Sequence, residues 1–218
     1  NVVLWEEGDE GLPKGENVVG RVRSVSFNMI NTKESVPQEV HYLTYVESLT
    51  FFGNSNTATK SITLEDDVCG LEYLKSLTVS AYGLSAISDN LVLLGDRLET
   101  LDLSSNNFNS VPSIITKENF PKLKSLNLIG NRRSVISDLR NAKDPVKYPD
   151  GIGLFFNTKD DNTLRRLFMW DNLEELRLSY NFIEGTLPDF EIGVDGVTGY
   201  SQADVEAFGG DTIQYLVN

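Results

Sequence analysis

The chain contains almost no cysteine or histidine. Cys69 and His41 are the only residues of their types among 218, so neither an intrachain disulfide nor a zinc cluster of several Cys and His ligands can form. A Ser–His–Asp triad would have to use His41. Cys69 stands in an apolar context and is expected to be a small buried side chain rather than a nucleophile. Few routes to hydrolase chemistry remain.

Basic residues and long apolar runs are also scarce. Lys and Arg number 19 against 32 Asp and Glu, which gives a net charge of −13. Such a surface repels phosphate backbones and anionic lipid headgroups, so nucleic acid is excluded as an expected partner. No apolar run approaches the roughly 20 residues needed to cross a bilayer, so this segment is not expected to insert into a membrane. The hydrophobic content of 40% is that of a folded domain.

One apolar frame recurs along the chain. Its form is apolar-x-x-apolar-x-x-apolar-x-apolar-x-x-polar, and Gly95 is the one exception to its apolar positions. In chain order the six segments are Val19-Val22-Val25-Phe27, Leu43-Val46-Leu49-Phe51-Asn54, Leu71-Leu74-Leu77-Val79-Tyr82, Gly95-Leu98-Leu101-Leu103-Asn106, Phe120-Leu123-Leu126-Leu128-Asn131 and Trp170-Leu173-Leu176-Leu178-Asn181.

The spacing of these segments indicates stacked coils. Their starts at 19, 43, 71, 95, 120 and 170 are 24, 28, 24, 25 and 50 residues apart, and the first four intervals are typical of leucine-rich repeats. The alternating L-x-L core places the leucines on one face of a short strand, which is buried only when neighbouring coils stack. The predicted fold is an α/β, right-handed solenoid with a concave parallel β-sheet and an irregular or short-helical convex side.

Four asparagines stand where the predicted strands end. An inward-pointing amide at this position can donate to and accept from the backbone of neighbouring coils. We therefore expect a structural asparagine ladder, and Tyr82 takes the same position in one repeat. The ladder residues are Asn54, Asn106, Asn131 and Asn181.

Several segments resemble the plant-type repeat G-x-I-P-x-x-I-x-x-L-x-x-L-x-x-L-x-L. Ser35–Leu49 and Phe182–Pro188 are similar to its two halves, and Phe108–Pro112 is a weaker copy. Trp5 followed by Gly20–Val25 looks like the opening that leads such domains into their first strand. The cap lacks the cysteine pair of plant receptors and the chain has no N-x-Ser/Thr sequon, so the nearest resemblance is to the cell-surface leucine-rich-repeat lipoproteins of Bacteroidetes.

The domain boundaries follow from the frame. Residues 1–18 are predicted to form an N-terminal cap closed by Trp5, and residues 19–190 the solenoid. Residues 132–172 hold an insertion or a degenerate repeat, with a short helix expected after Asp160-Asp161-Asn162-Thr163. Residues 191–218 are predicted to be a C-terminal linker or the start of a further repeat, so the chain is expected to be a fragment unless its last coil is closed unusually.

Candidate ligand-binding residues lie on and beside the predicted strands. Between the leucines most positions hold small hydroxyl residues, and one position further out the charges alternate from Arg23 to Glu174. Large or charged departures from this pattern mark the interface candidates, since aromatics and Arg are enriched at binding hot spots. These candidates are Arg177, Tyr180, Phe52, Ile129, Asp102 and Asn127.

No metal site is expected. Glu65-Asp66-Asp67 and Asp160-Asp161 do not match the alternating ligands and central glycine of a calcium-binding EF-hand loop. Carboxylates in these places are expected to face the positive end of a helix instead. No phosphate-binding loop or nucleophile elbow is present, so no catalytic residue and no cofactor are predicted.

The resemblance implies a non-catalytic recognition module on a bacterial surface. It would bind a protein, peptide or glycan through its concave face, at the extracellular or outer-membrane surface, after removal of a leader that this chain does not contain and with a possible lipid anchor upstream. The alternative is a structural spacer or adhesin stalk within a larger surface protein. An enzyme would need a catalytic group in the 132–172 insertion.

Overall fold

The computed structural model describes residues 1–15, 17–28, 36–54, 61–131, 157–158, 161–162, 166–167 and 170–181. Three short 3₁₀ helices lie among them, at Gln38–Tyr42, Asp66–Val68 and Asp89–Leu94. The strands of the described residues are β1 Val2–Leu4, β2 Val22–Phe27, β3 Ser48–Phe52, β4 Ile62–Leu64, β5 Ser76–Ser80, β6 Leu84–Ile87, β7 Thr100–Asp102, β8 Ser125–Asn127, β9 Asn157–Thr158, β10 Asp161–Asn162 and β11 Glu175–Arg177.

The main sheet has the strand order β1-β2-β3-β5-β7-β8-β11. All its pairings from β2 to β11 are parallel. The central apolar residues of the six predicted segments are aligned directly across the sheet, as Val25, Leu49, Leu77, Leu101, Leu126 and Leu176. A parallel sheet in this register, with few helices, fits a solenoid of leucine-rich-repeat type. The hand of that solenoid stays a prediction.

The core consists of columns of equivalent residues from successive coils. Leu49, Leu77, Leu101 and Leu126 have no exposed surface, and each stabilises the fold by about 2 kcal/mol relative to an exposed side chain. Aromatic rings supplement this column near the N-terminal end, where Phe27 stacks on Phe51 with ring centroids 5.1 Å apart. Each coil buries its own apolar set only against its neighbours, which makes the stack the unit of stability.

The segments that return between the main strands contain a second, smaller sheet. β4 and β6 pair in parallel there, next to the 3₁₀ helices that the sequence predicted in general terms. This pairing was not predicted. Ile62 and Leu64 are buried and Thr63 is half-buried, and this alternation over three residues is too short to be distinguished from a loop in one sequence.

The N-terminal cap begins with a strand. β1 runs antiparallel to β2 at the edge of the main sheet, with a register shift between Val3 and Leu4. Trp5 follows it and is 1% exposed, and its indole N–H donates to the Tyr45 carbonyl oxygen at 2.9 Å. The Arg23 guanidinium lies 4.4 Å from the centre of the Trp5 ring. Trp5 is therefore buried against residues of the first two coils, and the cap of residues 1–18 stays a prediction.

Gly95 occupies the one frame position without an apolar side chain. A Cβ atom built there would lie 1.7 Å from the carbonyl oxygen of Asn119 in the next coil. The exception in the repeat therefore has a steric cause, because two coils approach too closely at this point for any side chain.

Parts of the predicted insertion and the predicted C-terminal segment lie outside the described residues. Within 132–172, Asp161 and Asn162 form β10, paired antiparallel with β9, where the sequence predicted the cap of a helix. Arg166 and Leu167 are helical. The predicted linker 191–218 is not among the described residues.

Candidate binding surface

The face of the main sheet opposite the leucine column is lined by small polar residues. The rows on either side of the central leucines are Ser24, Ser48, Ser76, Thr100 and Ser125, and Ser26, Thr50, Thr78, Asp102 and Asn127, all of them half-buried. The two rows end on β11 with Glu175 and Arg177, which are exposed. The surface thus changes character at its last described strand, where longer charged side chains replace small ones.

A row of alternating charges borders this face at the start of the strands. Glu47 accepts hydrogen bonds from the Arg23 Nε at 2.9 Å and the Lys75 Nζ at 2.7 Å, and Arg23 also lies 3.3 Å from Asp9. Four charges of alternating sign are therefore joined across the cap, β2, β3 and β5. The predicted pairing of neighbours is present here.

The pKa of Glu47 reflects this network. Burial by itself would raise the pKa, but hydrogen bonds from Lys75 and Arg23, with the attraction of their charges, hold it below its ordinary value of 4.5. The hydrogen bond to Glu47 correspondingly raises the pKa of Arg23. Glu47 is therefore ionised at neutral pH and serves the cohesion of the first coils.

The second part of the charge row is more exposed. Lys124 Nζ donates to Glu99 Oε2 at 2.9 Å, with side chains 52% and 40% exposed. This hydrogen bond raises the pKa of Lys124, with smaller contributions from the charges of Glu99 and Glu174. An ion pair this open to water contributes little to stability.

Asp102 and Asn127 bond to each other and to the turns that follow their strands. The Asn127 amide donates to Asp102 Oδ2 at 2.8 Å. The other carboxylate oxygen of Asp102 accepts the Ser104 N–H at 2.8 Å, and Asn127 Oδ1 accepts the Ile129 N–H at 3.1 Å. Their polar atoms are used within the sheet, so the structure indicates a role in shaping the turns.

Arg177 continues the same row on β11 but bonds differently. Its Nε donates to Glu175 Oε1 at 2.7 Å, and Glu175 Oε2 accepts from the Ser125 hydroxyl at 2.9 Å. These hydrogen bonds, that of Arg177 first, lower the pKa of Glu175. Arg177 is 52% exposed in its side chain, so a guanidinium and a carboxylate are presented side by side.

Glu175 was not among the residues selected from the sequence. A signal for it was present, because residues two apart on a strand share a face. A molecule that contacts the Arg177 guanidinium would therefore also lie next to the Glu175 carboxylate.

Tyr180 is the most exposed large hydrophobic residue of the described chain, at 80%. It lies in the turn after β11 with φ 59°, a left-handed conformation that is unfavourable for a bulky residue. Ala81 and Ser105 have φ 53° and 57° at the equivalent positions of earlier coils, and Gly130 has 64°. The turn type belongs to the repeat, but only its last copy carries an aromatic side chain.

The other two apolar candidates lie one repeat position before that of Tyr180, Phe52 at the end of β3 and Ile129 after β8. Phe52 is 42% exposed, and Ile129 is half-buried. They belong to different coils, β3 and β8, which are separated by β5 and β7. The candidates therefore divide into Arg177 and Tyr180 on one coil, and scattered residues elsewhere.

The predicted ladder asparagines make hydrogen bonds between coils. The Asn106 amide donates to the carbonyl oxygens of Val79 at 2.7 Å and Leu103 at 3.0 Å. Its oxygen accepts the N–H groups of Tyr82 at 3.0 Å and Leu84 at 3.1 Å. In the coil where Tyr82 replaces asparagine, the backbone N–H groups of the turn are thus bonded by Asn106 of the next coil.

The remaining ladder positions differ in burial. Asn131 and Asn181 are 0% and 1% exposed, and the Asn181 oxygen accepts the Asn131 N–H at 2.7 Å. Asn181 also donates to Leu128 O at 2.9 Å and Leu178 O at 2.7 Å. Asn54 is half-buried. The three later asparagines form the enclosed part of the ladder.

The two side chains outside this surface that could take part in catalysis are Cys69 and His41. Cys69 is 3% exposed, and burial, with the nearby Asp66 and Asp67 charges, raises its pKa to about 11, so the thiol stays protonated at neutral pH. His41 is exposed, and its Nδ1 lies 2.5 Å from the Gln38 carbonyl oxygen. Within the described residues there is no group of three His, Cys, Asp or Glu that could hold a metal ion, nor a helix long and apolar enough to span a membrane.

Comparison with family models matches two stretches of the chain, residues 97–117 and 172–190, to the Leucine Rich Repeat. These stretches include β7 and β11 and the turns that follow them. Both stretches match the leucine-rich repeat, which supports a leucine-rich-repeat protein. Such repeats generally mediate protein binding and are typically non-catalytic.

Two solved structures are similar to parts of the chain. A plant ice-binding protein matches with 23% identity and a TM-score of 0.38, over 56% of this chain and 38% of that one. A leucine-rich-repeat protein of Leptospira interrogans matches with 17% identity and a TM-score of 0.33, over 76% of this chain and 56% of that one. This chain thus spans less than two thirds of the length of either protein. A search of curated proteins gives no match.

Proposed function

We propose that this leucine-rich-repeat chain is a non-catalytic module that binds a protein, and that the partner docks on the C-terminal end of the sheet face around Arg177 and Tyr180. Protein binding is the general role of such repeats. The specific site is supported by one observation above all: Tyr180 is 80% exposed although its turn holds it in a conformation that disfavours its side-chain type. The left-handed turn is common to the repeat, but of its described copies only this one carries an aromatic ring, a side-chain type enriched at binding hot spots.

The neighbouring groups define what the partner must present. Arg177 and Glu175 are joined at 2.7 Å on one strand, so a guanidinium and a carboxylate are oriented before binding, which reduces the entropic cost of using them. A protein surface with an apolar pocket for the Tyr180 ring and polar groups of both signs beside it would match. Peptides and glycans are the other two ligand classes that this end of the sheet face could bind.

Site-specific photocrosslinking tests the location directly. In cells that express the full chain, Tyr180→p-benzoylphenylalanine places a photoreactive ring at the proposed contact. The matched control is the same replacement at Tyr42, which is 74% exposed but lies in the first 3₁₀ helix, away from β11. The expected result is one discrete protein adduct with position 180 and none with position 42. Adducts at both positions, or at neither, would contradict the proposal.

The captured partner then allows affinity measurements. Truncating Tyr180 and Arg177 to alanine is expected to weaken binding about 10- to 100-fold, in line with about 2 kcal/mol for a hot-spot residue. Tyr42→Ala is the control and should leave the affinity unchanged. Normal affinity of the Tyr180→Ala/Arg177→Ala double variant would move the site elsewhere on the molecule.

A bacterial cell-surface location forms part of the same proposal. Its support is the sequence resemblance to surface lipoproteins. The test is protease treatment of intact cells of the source organism followed by immunoblotting, with a cytosolic protein as control. Resistance of the chain in intact cells, together with digestion in lysed cells, would contradict a surface location.

A further inference from the structure

The opposite end of the main sheet carries an open strand edge. β1 is the first strand in the sheet order, and among the residues that the structure describes no strand pairs with its outer side. An unpaired edge is a template for another strand, and proteins usually protect it with charges, proline or a covering segment. β1 itself, Val2-Val3-Leu4, has no charged residue and no proline.

The backbone groups at this edge can be assigned from the pairing with β2. Asn1 and Ser26 exchange hydrogen bonds at 3.1 and 2.9 Å, and Trp5 donates to Arg21 O and accepts from Gly20 N at 2.9 and 2.8 Å. Residues 1 and 5 therefore face β2, as does residue 3 between them. Because successive residues of an antiparallel strand point their N–H and C=O groups to opposite sides, those of Val2 and Leu4 point outward.

The side chains around the edge are apolar and exposed. Val2, Val3 and Leu4 are 60%, 53% and 45% exposed, and Val19, next to the Gly20 that bonds to Trp5, is 52% exposed. This is half of the eight large hydrophobic residues that are exposed in the described part of the chain. Their concentration at one strand distinguishes them from the single exposed residues that any surface carries.

The acidic residues beside β1 favour a partner with basic residues. Glu6 and Glu7 follow β1 within the turn closed by the Glu6 N–H and the Asp9 carboxylate at 2.9 Å, and both are exposed, as is Glu10. A second copy of the chain would bring the same acidic turn and another net charge of −13, which opposes self-pairing. A segment that carries Lys or Arg at its ends is attracted instead.

We propose that the outer edge of β1 binds an extended peptide segment by strand addition, with apolar residues opposite Val2–Leu4 and basic residues next to Glu6 and Glu7. Main-chain hydrogen bonds to Val2 and Leu4 supply affinity in this binding mode, and the side chains supply selectivity. The site lies at the other end of the sheet from Tyr180 and is independent of it.

Peptides test the proposal on the unmodified chain. The probe is a fluorescent peptide of alternating Val and Thr with two Lys at each end, measured by anisotropy. One control has Glu in place of every Lys, and a second has the backbone nitrogens of alternate residues methylated so that it cannot pair. The expected result is saturable binding of the first peptide that is at least tenfold tighter than that of either control. Equal binding of the methylated peptide, or no binding of the first, would overturn the proposal.

Variants at the edge test the main-chain hydrogen bonds and the charge preference separately. Leu4→Pro removes an N–H that points away from β2, whereas Leu4→Ala keeps that N–H and shortens the side chain. Proline is expected to weaken peptide binding at least tenfold more than alanine. An unchanged near-ultraviolet circular dichroism spectrum, to which the buried Trp5 and Trp170 both contribute, confirms that the fold around Trp5 is retained. Glu6→Lys with Glu7→Lys should exchange the preference between the Lys and Glu peptides. An unchanged preference, or a dimer of the free chain that Leu4→Pro abolishes, would count against this partner.

Discussion

The two ends of the main sheet use the same repeat differently. At the N-terminal end, β2, β3 and β5 have six, five and five residues, and Glu47 joins Arg23 and Lys75. At the C-terminal end, β7, β8 and β11 have three residues each. There, Arg177 and Tyr180 project into solvent.

The difference lies in the positions between the apolar ones, because the two ends share the apolar frame. The apolar positions are equivalent in both ends because every coil needs them to stack. The positions between them are free to vary, and in the first coils they bond to each other. On the last described coil, Arg177 and Glu175 also bond to each other, but both side chains stay about half exposed.

The largest expected effect comes from removing the buried ladder. Asn106→Ala deletes four hydrogen bonds within and between coils and leaves backbone groups buried without partners. We expect a loss of about 3 kcal/mol or more in the free energy of unfolding, measured by urea denaturation. Asn54→Ala, at the half-buried start of the ladder, should cost less than half as much. Equal losses would show that the ladder contributes uniformly along the sheet.

The next effect tests the close approach of coils at Gly95. Gly95→Ala places a Cβ 1.7 Å from the Asn119 carbonyl oxygen, and separating the coils is expected to cost about 2 kcal/mol. The control is Gly70→Ala, where a Cβ would meet nothing within 4 Å; it should be neutral or slightly stabilising. Thermal melts of the two variants give the comparison, and a neutral Gly95→Ala would mean that the coils separate without cost.

The charge row gives a smaller and pH-dependent effect. Glu47→Gln should cost about 1 kcal/mol at pH 7, and the more exposed Glu99→Gln about 0.3 kcal/mol. Because folding lowers the pKa of Glu47 below 4.5, its contribution is present above that value and is lost as the pH falls through the folded pKa. Unfolding free energies of the wild type and Glu47→Gln should therefore converge as the pH falls through the folded pKa of Glu47. A constant difference from pH 7 to pH 3 would show that the charge of Glu47 is not responsible.

The last effect on stability has the opposite sign. Tyr180→Gly replaces a strained left-handed residue that is largely exposed, and is expected to stabilise the chain by about 1 kcal/mol while weakening partner binding. Tyr180→Asn is the control. Asparagine tolerates this conformation better than tyrosine, so the stability of this variant should lie between those of the wild type and Tyr180→Gly. If Tyr180→Gly destabilises the chain, the ring has a packing role and the binding proposal loses its main support.

The sequence predicted the main sheet better than its surroundings. The period of the frame was sufficient to align residues such as Leu49 and Leu77, because strand register in a repeat depends on equivalent positions. β1 and the pair β4–β6 were missed, since three or four residues carry too little periodicity to indicate a strand. The pairing of Arg177 with Glu175 was not predicted: residues two apart on a strand share a face, but side-chain rotamers decide whether they meet.

The sequence alone determined which residues stack, since burial of the leucine column follows from the spacing of apolar positions. It also determined the asparagine positions and the alternating charges of the row that begins at Arg23. Tertiary structure decided what each equivalent polar residue does. Asp102 and Asn127 bond to each other while Arg177 in the same row remains exposed, and Gly95 is required by a backbone in the next coil. These outcomes depend on distances between coils, which residues far apart in the chain set together.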